Sequence, residues 1–367
     1  MILVVFGTTG ELIKLAPVLL RLQERGHEYV FATTGQQVQQ IPSFLEQFGL
    51  RDLDLWFARG SRGRDLRTNG DIPAWVGNVA RSFARHRGRL RRMLRSGHGR
   101  PLVLVHGDTM TTVLGASMGR AMRLPVAHIE SGLRSYDLRH PFPEELNRRT
   151  ASRLAQVHYA PGAWAASNLR GQDVVDTGSN TIRDSLELVP EAPPPVSVPE
   201  GPFGVVSLHR FELLNNRGAL AEALDLLAES SARSPLLFVD HSVTRAAVEK
   251  FRLDHVFRSG TFMRTPRLRF FDFVQLLRRS SFVVTDSGGS QEECFYLDIP
   301  CLVHRIRTER REGLGENAVL SGMRADVLRS FLEDNTRFRR RAELPAESPS
   351  DVIVDDLSAR GFLEAAS

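Results

Sequence analysis

The sequence predicts an α/β protein built from two doubly wound domains, each with a parallel sheet covered by helices. The chain has 367 residues, which is more than one hydrophobic core of ordinary size organises. Short apolar runs alternate with helical patterns through the first half, and this alternation is typical of β-α-β units. A proline-rich stretch at residues 188–202 interrupts the pattern, and a second alternation follows it.

The first half contains short apolar runs that predict strands. They are nearly continuous rather than alternating, as expected for strands that are buried on both faces of a sheet. In chain order they read ILVVF, EYVFAT, LDLWF, PLVLVHG, PVAHI and QVHYAP. The helical patterns between them read ELIKLAPVLLRLQERG, QQVQQIPSFLEQFG, AWVGNVARSFARHRGRLRRMLRSG, TTVLGASMGRAMR and EELNRRTASRLA.

The second half repeats this organisation after LVPEAPPPVSVPEGP, which we interpret as a linker or an exposed excursion. Its elements read FGVVSL, ALAEALDLLAESS, PLLFVD, TRAAVEKF, FVQLLRRS, FVVTDSGG, PCLVH and VLRSFL. We expect an N-terminal domain over residues 1–172 and a C-terminal domain over residues 173–349. The tail, about 350–367, is expected to pack back on the first domain as a helix or 3₁₀ turn.

Composition argues against several classes of protein. Hydrophobic content of 42% and charged content of 25% are those of a globular protein, and no apolar run is long enough to cross a bilayer. The opening MILVVFG has no basic region or cleavage site, so the sequence predicts no signal peptide and a cytoplasmic protein. Cys294 and Cys301 are too few for a disulfide framework or a metal site and are expected to be buried thiols.

The charge balance argues against nucleic-acid binding. The 48 basic and 43 acidic residues leave a net charge of +5, which is small for this length. The densest basic stretch, residues 81–100, carries Phe83, Leu90, Met93 and Leu94 at helical spacing. We therefore interpret it as a solvated amphipathic helix with one buried face.

Polar and ionisable residues cluster where the predicted strands end. These loops carry His106 to Thr109, Glu130 to Arg134, His209 with Arg210, and Asp286 to Glu293. Because ligands of doubly wound sheets bind beyond the carboxyl ends of the strands, these loops predict the active site. A cleft between the two domains is its expected place.

The segment TDSGGSQEE suggests a phosphate site. Its small residues let a ligand approach the backbone, and the helix that follows offers unpaired N–H groups and the positive end of its dipole. A plain helix cap explains the same residues equally well. Glu292 and Glu293 follow on the helix, where a carboxylate can accept hydrogen bonds from ribose hydroxyls.

Lys14 lies in the first loop and helix, GTTGELIK, which matches neither a dinucleotide fingerprint nor a P-loop. Only two of the 48 basic residues are lysines, Lys14 and Lys250. Taken alone, Lys14 reads as a solvated helix residue.

Together the motifs resemble the UDP-N-acetylglucosamine 2-epimerases, mainly the bacterial non-hydrolysing type. The resemblance spans residues 7–321 in the family's order, and its longest blocks are highly specific. The matching pieces are GTTGELIKLAPV, VHGDTMTTVLGAS, PVAHIESGLRSYDLRHPFPEELNRR, GSNTIRDSL, VSLHRFE, VTDSGGSQEE and HRIRTERREG. The resemblance implies a GT-B-like pair of Rossmann-type domains, with UDP held mainly by the second, and it implies no cofactor and no metal.

The resemblance also implies a mechanism and its residues. The family inverts C2 of UDP-GlcNAc by eliminating UDP to 2-acetamidoglucal and adding it back, which requires carboxylates near C1 and C2. Positions that match the family's catalytic residues are Asp108, Glu130, Glu144, His209 and Lys14. Positions that match its substrate-binding residues are Arg148, Ser287, Gly288, Gly289, Glu293 and Arg310. Arg148 follows Glu144 at i+4 and is expected to orient it, while Asp286 and Arg134 stay open between site and structural roles.

The sequence departs from the family at several positions. Thr9 and Gly10 stand where the family usually has Arg-Pro, and Phe211 stands in the third place of its HRRE motif. FVDHSV replaces the usual PVH-x-NP, and RTNGDIP has no clear glutamine-rich turn. Several of these positions belong to the second UDP-GlcNAc site that activates bacterial members, so we expect this activation to be absent or different.

Other functions remain compatible with these motifs. The hydrolysing branch releases ManNAc and UDP with most of the same residues, and a related NDP-sugar of secondary metabolism is a second possible substrate. A GT-B glycosyltransferase is disfavoured because it has no use for three carboxylates around C2. The expected partners are a UDP-sugar and, following the family, a second copy in a homodimer; neither nucleic acid nor a membrane is expected.

Overall fold

The computed structural model describes residues 1–61, 63–66, 70–137, 143–339 and 343–364. The chain divides into two compact units, Met1–Leu188 with Leu344–Ser367, and Val189–Glu343. Residues 138–142 of the PFPEELNRR motif block and residues 67–69 of RTNGDIP lie outside the described residues.

The first unit contains a parallel sheet of seven strands within the described residues, in the order β3-β2-β1-β4-β5-β6-β7. Its central strands are fully buried, which agrees with their continuous apolar sequences. The strands are β1 (Ile2–Phe6), β2 (Tyr29–Thr33), β3 (Leu55–Trp56), β4 (Leu102–His106), β5 (Val126–Ile129), β6 (Val157–Ala160) and β7 (Asp173–Asp176).

Helices connect these strands, and several begin at a clear capping residue. Thr8 and Glu11 form a reciprocal capping box at the start of α1, and Thr109 caps α4. The helices of the first unit are α1 (Thr9–Glu24), α2 (Ile41–Phe48), α3 (Asp71–Ser96), α4 (Met110–Met122), α5 (Glu144–Leu154), α6 (Ala163–Ser167), α7 (Ile182–Glu187) and α14 (Pro349–Ala359).

The first unit extends beyond the boundary expected at residue 172. Strand β7 pairs with β6 over Val157–Ala160 and closes the edge of the first sheet, so residues 173–176 cannot belong to the second unit. The chain leaves the first unit at Leu188, where the proline-rich stretch begins. Strand β7 was not predicted from the sequence, because DVVD is short and has an aspartate at each end instead of an apolar residue.

The tail from Leu344 onward belongs to the first unit. Helix α14 packs against α1 and α7, and it buries Ile353, Val354 and Leu357. Asp351 of α14 accepts hydrogen bonds from Arg21 of α1 and from Arg25, at 3.1 and 2.8 Å. The tail is therefore an integral layer of this unit.

The second unit contains a parallel sheet of six strands in the part of the chain that is described, in the order β10-β9-β8-β11-β12-β13. Its strands are β8 (Gly204–Ser207), β9 (Leu236–Asp240), β10 (Phe262–Pro266), β11 (Phe282–Thr285), β12 (Cys301–Val303) and β13 (Ala318–Leu320). Its helices are α8 (Phe211–Leu214), α9 (Arg217–Ser231), α10 (Ser242–Phe251), α11 (Phe270–Arg279), α12 (Gly288–Tyr296) and α13 (Ala325–Glu333), and 3₁₀ turns cover Asp254–Ser259 and Thr336–Phe338.

Two apolar clusters cover the two faces of the second sheet. In β8, Val206 joins one cluster and the neighbouring Val205 joins the other, and Val284 and Val283 of β11 divide in the same way. This alternation follows from the two-residue period of a strand. Both faces are apolar, which explains why the strands read as continuous hydrophobic runs.

No helix among the described residues is both long and apolar enough to span a bilayer.

Candidate active site

The two sheets share a topology that places ligand sites at a defined point. In each unit the strand order reverses direction beside the first strand, between β1 and β4 and between β8 and β11. Ligands of doubly wound sheets bind where the order reverses, at the carboxyl ends of these strands. The loops found there are the ones that carry the polar motifs: GTTG and HGDT in the first unit, and HR and DSGG in the second.

Lys14 and Glu130 form a buried ion pair in the first unit. Nζ of Lys14 donates to Oε2 of Glu130, and the two residues are 8% and 7% exposed. Asn180 donates to the same Oε2. The solvated reading of Lys14 is wrong, because its ammonium group compensates the negative charge of a buried carboxylate.

Asp108 is held by an ion pair of its own. Nη2 of Arg148 donates to Oδ2 of Asp108, and Nδ2 of Asn147 donates to the Asp108 backbone carbonyl at 2.9 Å. Both donors lie on α5, whereas Asp108 follows β4. The helix that carries Glu144 therefore also fixes the loop that carries Asp108.

Glu144 is the first residue of α5 and is partly buried. Its neighbour Glu145 is fully buried and accepts hydrogen bonds from the Ser135 backbone at 2.9 Å and from Arg149 at 2.9 Å. Arg148 also reaches Glu145, at 3.5 Å. The contacts of Arg148 with Asp108 and Glu145 were not predicted from the sequence. The expectation that Arg148 orients Glu144 stays a prediction.

Glu11 is a buried carboxyl group that was not among the residues predicted from the sequence to form the site. Oε2 accepts the backbone N–H groups of Gly7 and Thr8 at 2.8 and 2.9 Å, and Oε1 accepts the Thr109 hydroxyl at 2.8 Å. Glu11 therefore joins the first loop to the residue that follows Asp108. Burial raises its pKa to about 7, although these hydrogen bonds oppose the increase.

His128, on β5, contacts the backbone of the loop that carries Asp108. Burial lowers its pKa to about 4, so the imidazole is neutral at pH 7. Its Nε2 lies 2.7 Å from the carbonyl oxygen of Gly107, which requires the proton to be on Nε2. The peptide before Asp108 is thus fixed by a side chain of the adjacent strand.

In the second unit, Asp286 organises the loop that carries His209. Its carboxylate accepts the backbone N–H groups of His209, at 2.8 Å, and Arg210, at 2.7 Å, and it is fully buried. Burial raises the pKa of Asp286, and its hydrogen bonds oppose the increase. These contacts favour a structural role for Asp286, because its carboxylate fixes the loop backbone at His209 and Arg210.

His209 is neutral at pH 7. Burial, together with three nearby arginine guanidinium groups, lowers its pKa to about 4. Its ring stacks at a tilt on His241, with centroids 4.6 Å apart, and His241 lies 3.1 Å from the Ser207 hydroxyl. His241 comes from the FVDHSV segment, which sequence analysis recorded only as a departure from the family.

The two glycines at the start of α12 differ in what surrounds them. Ser287 caps the helix by accepting the N–H group of Ser290 at 3.4 Å. A methyl group on Gly288 would lie 2.9 Å from Oε1 of Glu309, so the Glu309 side chain would have to shift to accommodate it. On Gly289 the nearest atom would be the Ser287 hydroxyl, at 3.6 Å, so protein packing does not explain this glycine.

Arg310 supports α12 through a buried ion pair. Its Nη1 donates to Oε1 of Glu292 at 2.9 Å, and both side chains are buried. Glu293 is the next residue on the helix and is also largely buried. This contact holds the helix, and the expected contact of Arg310 with the nucleotide stays a prediction.

The predicted site residues thus form two groups, each at the carboxyl edge of its own sheet. The first unit holds Lys14, Asp108, Glu130, Glu144 and Arg148, and the second holds His209, Ser287, Gly288, Gly289, Glu293 and Arg310. Among the described residues no cluster of His, Cys, Asp and Glu side chains could hold a metal ion.

A family model decides what these motifs belong to. The model described as UDP-N-acetylglucosamine 2-epimerase matches residues 78–344, which is well over half of the chain. The chain belongs to the UDP-N-acetylglucosamine 2-epimerase family. The family predicted from the motifs is confirmed, and the protein is an epimerase.

Individual epimerases agree with this assignment. The UDP-N-acetylglucosamine 2-epimerase of Bacillus subtilis is 30% identical over 332 residues, 85% of this chain and 80% of that protein. The enzyme of Campylobacter jejuni is 29% identical over 87% of this chain and 84% of that protein. The crystal structure of the Neisseria meningitidis epimerase bound to UDP-GlcNAc has a TM-score of 0.78, 26% identity and coverage of 98% and 99%. The expected GT-B-like fold class is confirmed.

Two of the departures from the family now have a structural description. Thr9 donates to Oε1 of Gln37 through both its backbone N–H and its hydroxyl, each at 2.8 Å, so it is part of the first loop's own framework. Phe211 is 65% exposed at the start of α8, two residues after His209. Position 211, which departs from the motif expected from the sequence, therefore presents an apolar ring to solvent.

Proposed function

We propose that this epimerase interconverts UDP-GlcNAc and UDP-ManNAc by eliminating UDP and adding it back. The C2 proton is not next to a carbonyl group and is not acidic, so removing it to leave a carbanion is slow. In the elimination a carboxylate takes this proton, the C2–H electron pair forms a C1=C2 double bond, and the C1–O bond breaks with its electron pair leaving on the UDP oxygen. The intermediate is 2-acetamidoglucal; UDP then re-forms the C1–O bond while a proton is delivered to the other face of C2.

The observation that carries this proposal is the pair of carboxylates on adjacent strands, each with its own cation. Asp108 follows β4 and Glu130 follows β5, and these strands pair in parallel. Lys14 binds Glu130 and Arg148 binds Asp108. Two carboxylates at one sheet edge suit a reaction that removes a proton from one face of a carbon and returns it to the other.

Each cation lies against one of these carboxylates. A buried carboxylate without a partner is strongly disfavoured, and each cation here compensates one negative charge. Glu144, on the helix that carries Arg148, is the third carboxyl group that the proposal assigns to this chemistry.

The second unit supplies the groups suited to the departing diphosphate. The N-terminus of α12, with Ser287, Gly288 and Gly289, offers backbone N–H groups and the positive end of a helix dipole. His209 is placed to stabilise the developing phosphate charge by donating a hydrogen bond. Glu293 is assigned to the ribose hydroxyls.

We also propose that the chain forms a homodimer, following the resemblance to the family. Light scattering of the purified protein tests this part separately: a mass of two chains supports it, and a mass of one chain contradicts it.

The reaction is tested by incubating the protein with UDP-GlcNAc in D2O and recording NMR spectra. Deuterium at C2 together with UDP-ManNAc supports the proposal. Free ManNAc with UDP places the chain in the hydrolysing branch instead. Absence of both exchange and product with UDP-GlcNAc, but C2 exchange in another UDP-HexNAc, reassigns the substrate, and absence of exchange in all of them overturns the proposed function.

A further inference from the structure

We propose that Asn180 is a positioning residue that orients the carboxylate of Glu130 for proton transfer. The inference rests on the proposed function. It concerns a residue of the GSNTIRDSL motif that the resemblance left without a role. Asn180 is 2% exposed, and its amide is directed at a site carboxylate rather than at solvent.

One oxygen of Glu130 receives both donors. Nζ of Lys14 and Nδ2 of Asn180 each donate to Oε2. The other oxygen, Oε1, faces the Gly107–Asp108 loop, since a methyl group built on Gly107 would lie 3.8 Å from it. Two donors on one oxygen fix the rotation of the carboxylate, which a single flexible ammonium group cannot do.

The orientation of the Asn180 amide is itself determined by the structure. Its Oδ1 accepts the backbone N–H group of Ile182 at 3.2 Å, so Nδ2 must be the atom that faces Glu130. The loop before Asn180 is tied to the end of β6, because the N–H group and the hydroxyl of Thr177 both donate to the Ala160 carbonyl at 2.9 and 3.0 Å.

The two elements that carry the donors are joined to each other. Ser185 of α7 donates to the backbone carbonyl of Ile13 at 2.7 Å, one residue before Lys14. Asp184 of α7 accepts the Ser348 hydroxyl at 2.8 Å and the Ser350 N–H group at 2.9 Å, both from the C-terminal segment. The distance between the two donors is therefore set by the packing of α1, α7 and the tail.

The backbone of Glu130 supports a functional rather than a purely structural contact. Its φ is +61°, a left-handed conformation that glutamate rarely adopts. Such strain persists only where the surroundings hold it, and it concentrates at functional sites. The contacts to Lys14 and Asn180 help to hold this side chain in that conformation.

The test compares Asn180→Asp, which keeps the shape and replaces the donor with a carboxyl group, with Asn180→Ala. We measure kcat for C2 exchange from pH 5.5 to pH 9, together with the thermal midpoint. At pH 9 the new carboxylate faces Glu130 and lowers kcat by about 100-fold or more. As the pH falls, the new carboxyl group becomes protonated and donates a hydrogen bond again, so the deficit shrinks to about 10-fold. Asn180→Ala loses about 10- to 100-fold at every pH.

Asn317→Asp is the matched control. Asn317 is also 2% exposed and donates to two backbone carbonyls, of Cys294 and Ile299, each at 3.0 Å, in the second unit. This variant should lower the thermal midpoint while leaving kcat within about twofold of wild type, since the lost hydrogen bonds touch no reacting group.

The outcomes separate this inference from the proposed function. If wild type shows no C2 exchange, the proposed function fails. If wild type is active but Asn180→Ala retains its kcat, or the Asn180→Asp deficit stays constant with pH, the positioning role is wrong. If Asn180→Asp does not fold at high pH, the kcat of Asn180→Ala decides alone.

Discussion

At the scale of single residues, the choice of lysine at position 14 is informative. A chain that uses arginine almost everywhere places Lys14 in a buried pair with Glu130. An ammonium group is compact and directs its donors freely, whereas a guanidinium group is planar and larger. We infer that the small space around Oε2, shared with Asn180, explains the residue type.

Lys14→Arg is therefore expected to lower kcat by about 100-fold, although the charge is kept, because the larger group displaces the carboxylate. The measurement is the rate of C2 exchange at saturating substrate. The chain offers a matched control in its other lysine, since Lys250 is exposed on α10 and Lys250→Arg should change kcat by less than about twofold. Wild-type activity in Lys14→Arg would show that only charge matters here.

Glu11 makes one contact that a local sequence pattern predicts and another that it does not. The Thr8-x-x-Glu11 spacing is a capping box that sequence alone could have identified. The bond from the Thr109 hydroxyl to Glu11 joins residues 98 positions apart, and no local pattern encodes it. The same limit applies to the pairing of Arg148 with Asp108, which are 40 positions apart.

Glu11 also predicts a pH dependence of stability. Its folded-state pKa of about 7 lies above the ordinary value of 4.5, so its protonated form favours the folded state. This contribution is complete below about pH 4.5 and is lost as the pH rises through about 7. Relative to Glu11→Gln, wild type should lose up to about 3 kcal/mol of stability between pH 4.5 and pH 8.

The measurement is the difference in denaturant-induced unfolding between wild type and Glu11→Gln at pH 5 and pH 8. Glu46→Gln, which changes an exposed carboxylate on α2, serves as the control and should give a nearly constant difference. A constant difference for Glu11→Gln as well would contradict the account of this group.

At the scale of elements, the sequence predicted the buried central strands and the edge strand β3, and it missed the other three edge strands. Strands β1, β4, β5, β8 and β11 are continuous apolar runs, and each was predicted. The edge strands β7, β10 and β13 were not, because DVVD, FMRTP and AVL are short, polar or interrupted by proline. Since the strand order reverses among the central strands, the polar loops named from the sequence do follow the strands beside that point, and their role as the active site stays a prediction.

Helix α12 gives an element-scale prediction through its two glycines. Gly289→Ala should leave the thermal midpoint unchanged or raise it, because nothing in the protein opposes the methyl group. It should weaken UDP binding about 10-fold or more, because the methyl group enters the space proposed for the diphosphate. Isothermal titration calorimetry with UDP measures the affinity.

Gly288→Ala is the companion variant. Its methyl group would lie 2.9 Å from Oε1 of Glu309, whose side chain would have to shift, so Gly288→Ala should be less stable than Gly289→Ala and should also bind UDP more weakly than wild type. If Gly289→Ala binds UDP as wild type does, the start of α12 is not the diphosphate site.

At the scale of the whole molecule, we expect the departures from the family at Thr9 and Phe211 to affect regulation. Thr9 is bonded to Gln37, and Phe211 exposes an apolar ring. We expect the velocity to depend hyperbolically on substrate, with no requirement for added UDP-GlcNAc when UDP-ManNAc is the substrate. Initial rates measured in both directions test this expectation, and a sigmoidal curve would contradict it.

In the candidate site, the sequence predicts residue types and loops but not which side chains pair with each other. The residue types and their loops were predictable because motifs are local and the strand order is regular. The ion-pair partners were not, because they join different elements: Lys14 on α1 with Glu130 after β5, and Arg148 on α5 with Asp108 after β4. Spacing along one helix suggested Glu144 as the partner of Arg148, and it gave no indication of Asp108.

The central claim is that the C1–O bond breaks and re-forms while C2 inverts. It is tested by UDP-GlcNAc that carries ¹⁸O between C1 and the β-phosphorus, followed by ³¹P NMR in D2O. The account predicts that the label moves into the non-bridging β-phosphate oxygens as deuterium enters C2, because released UDP can rotate before it adds back. Deuterium at C2 with all of the label still in the bridging position would contradict it.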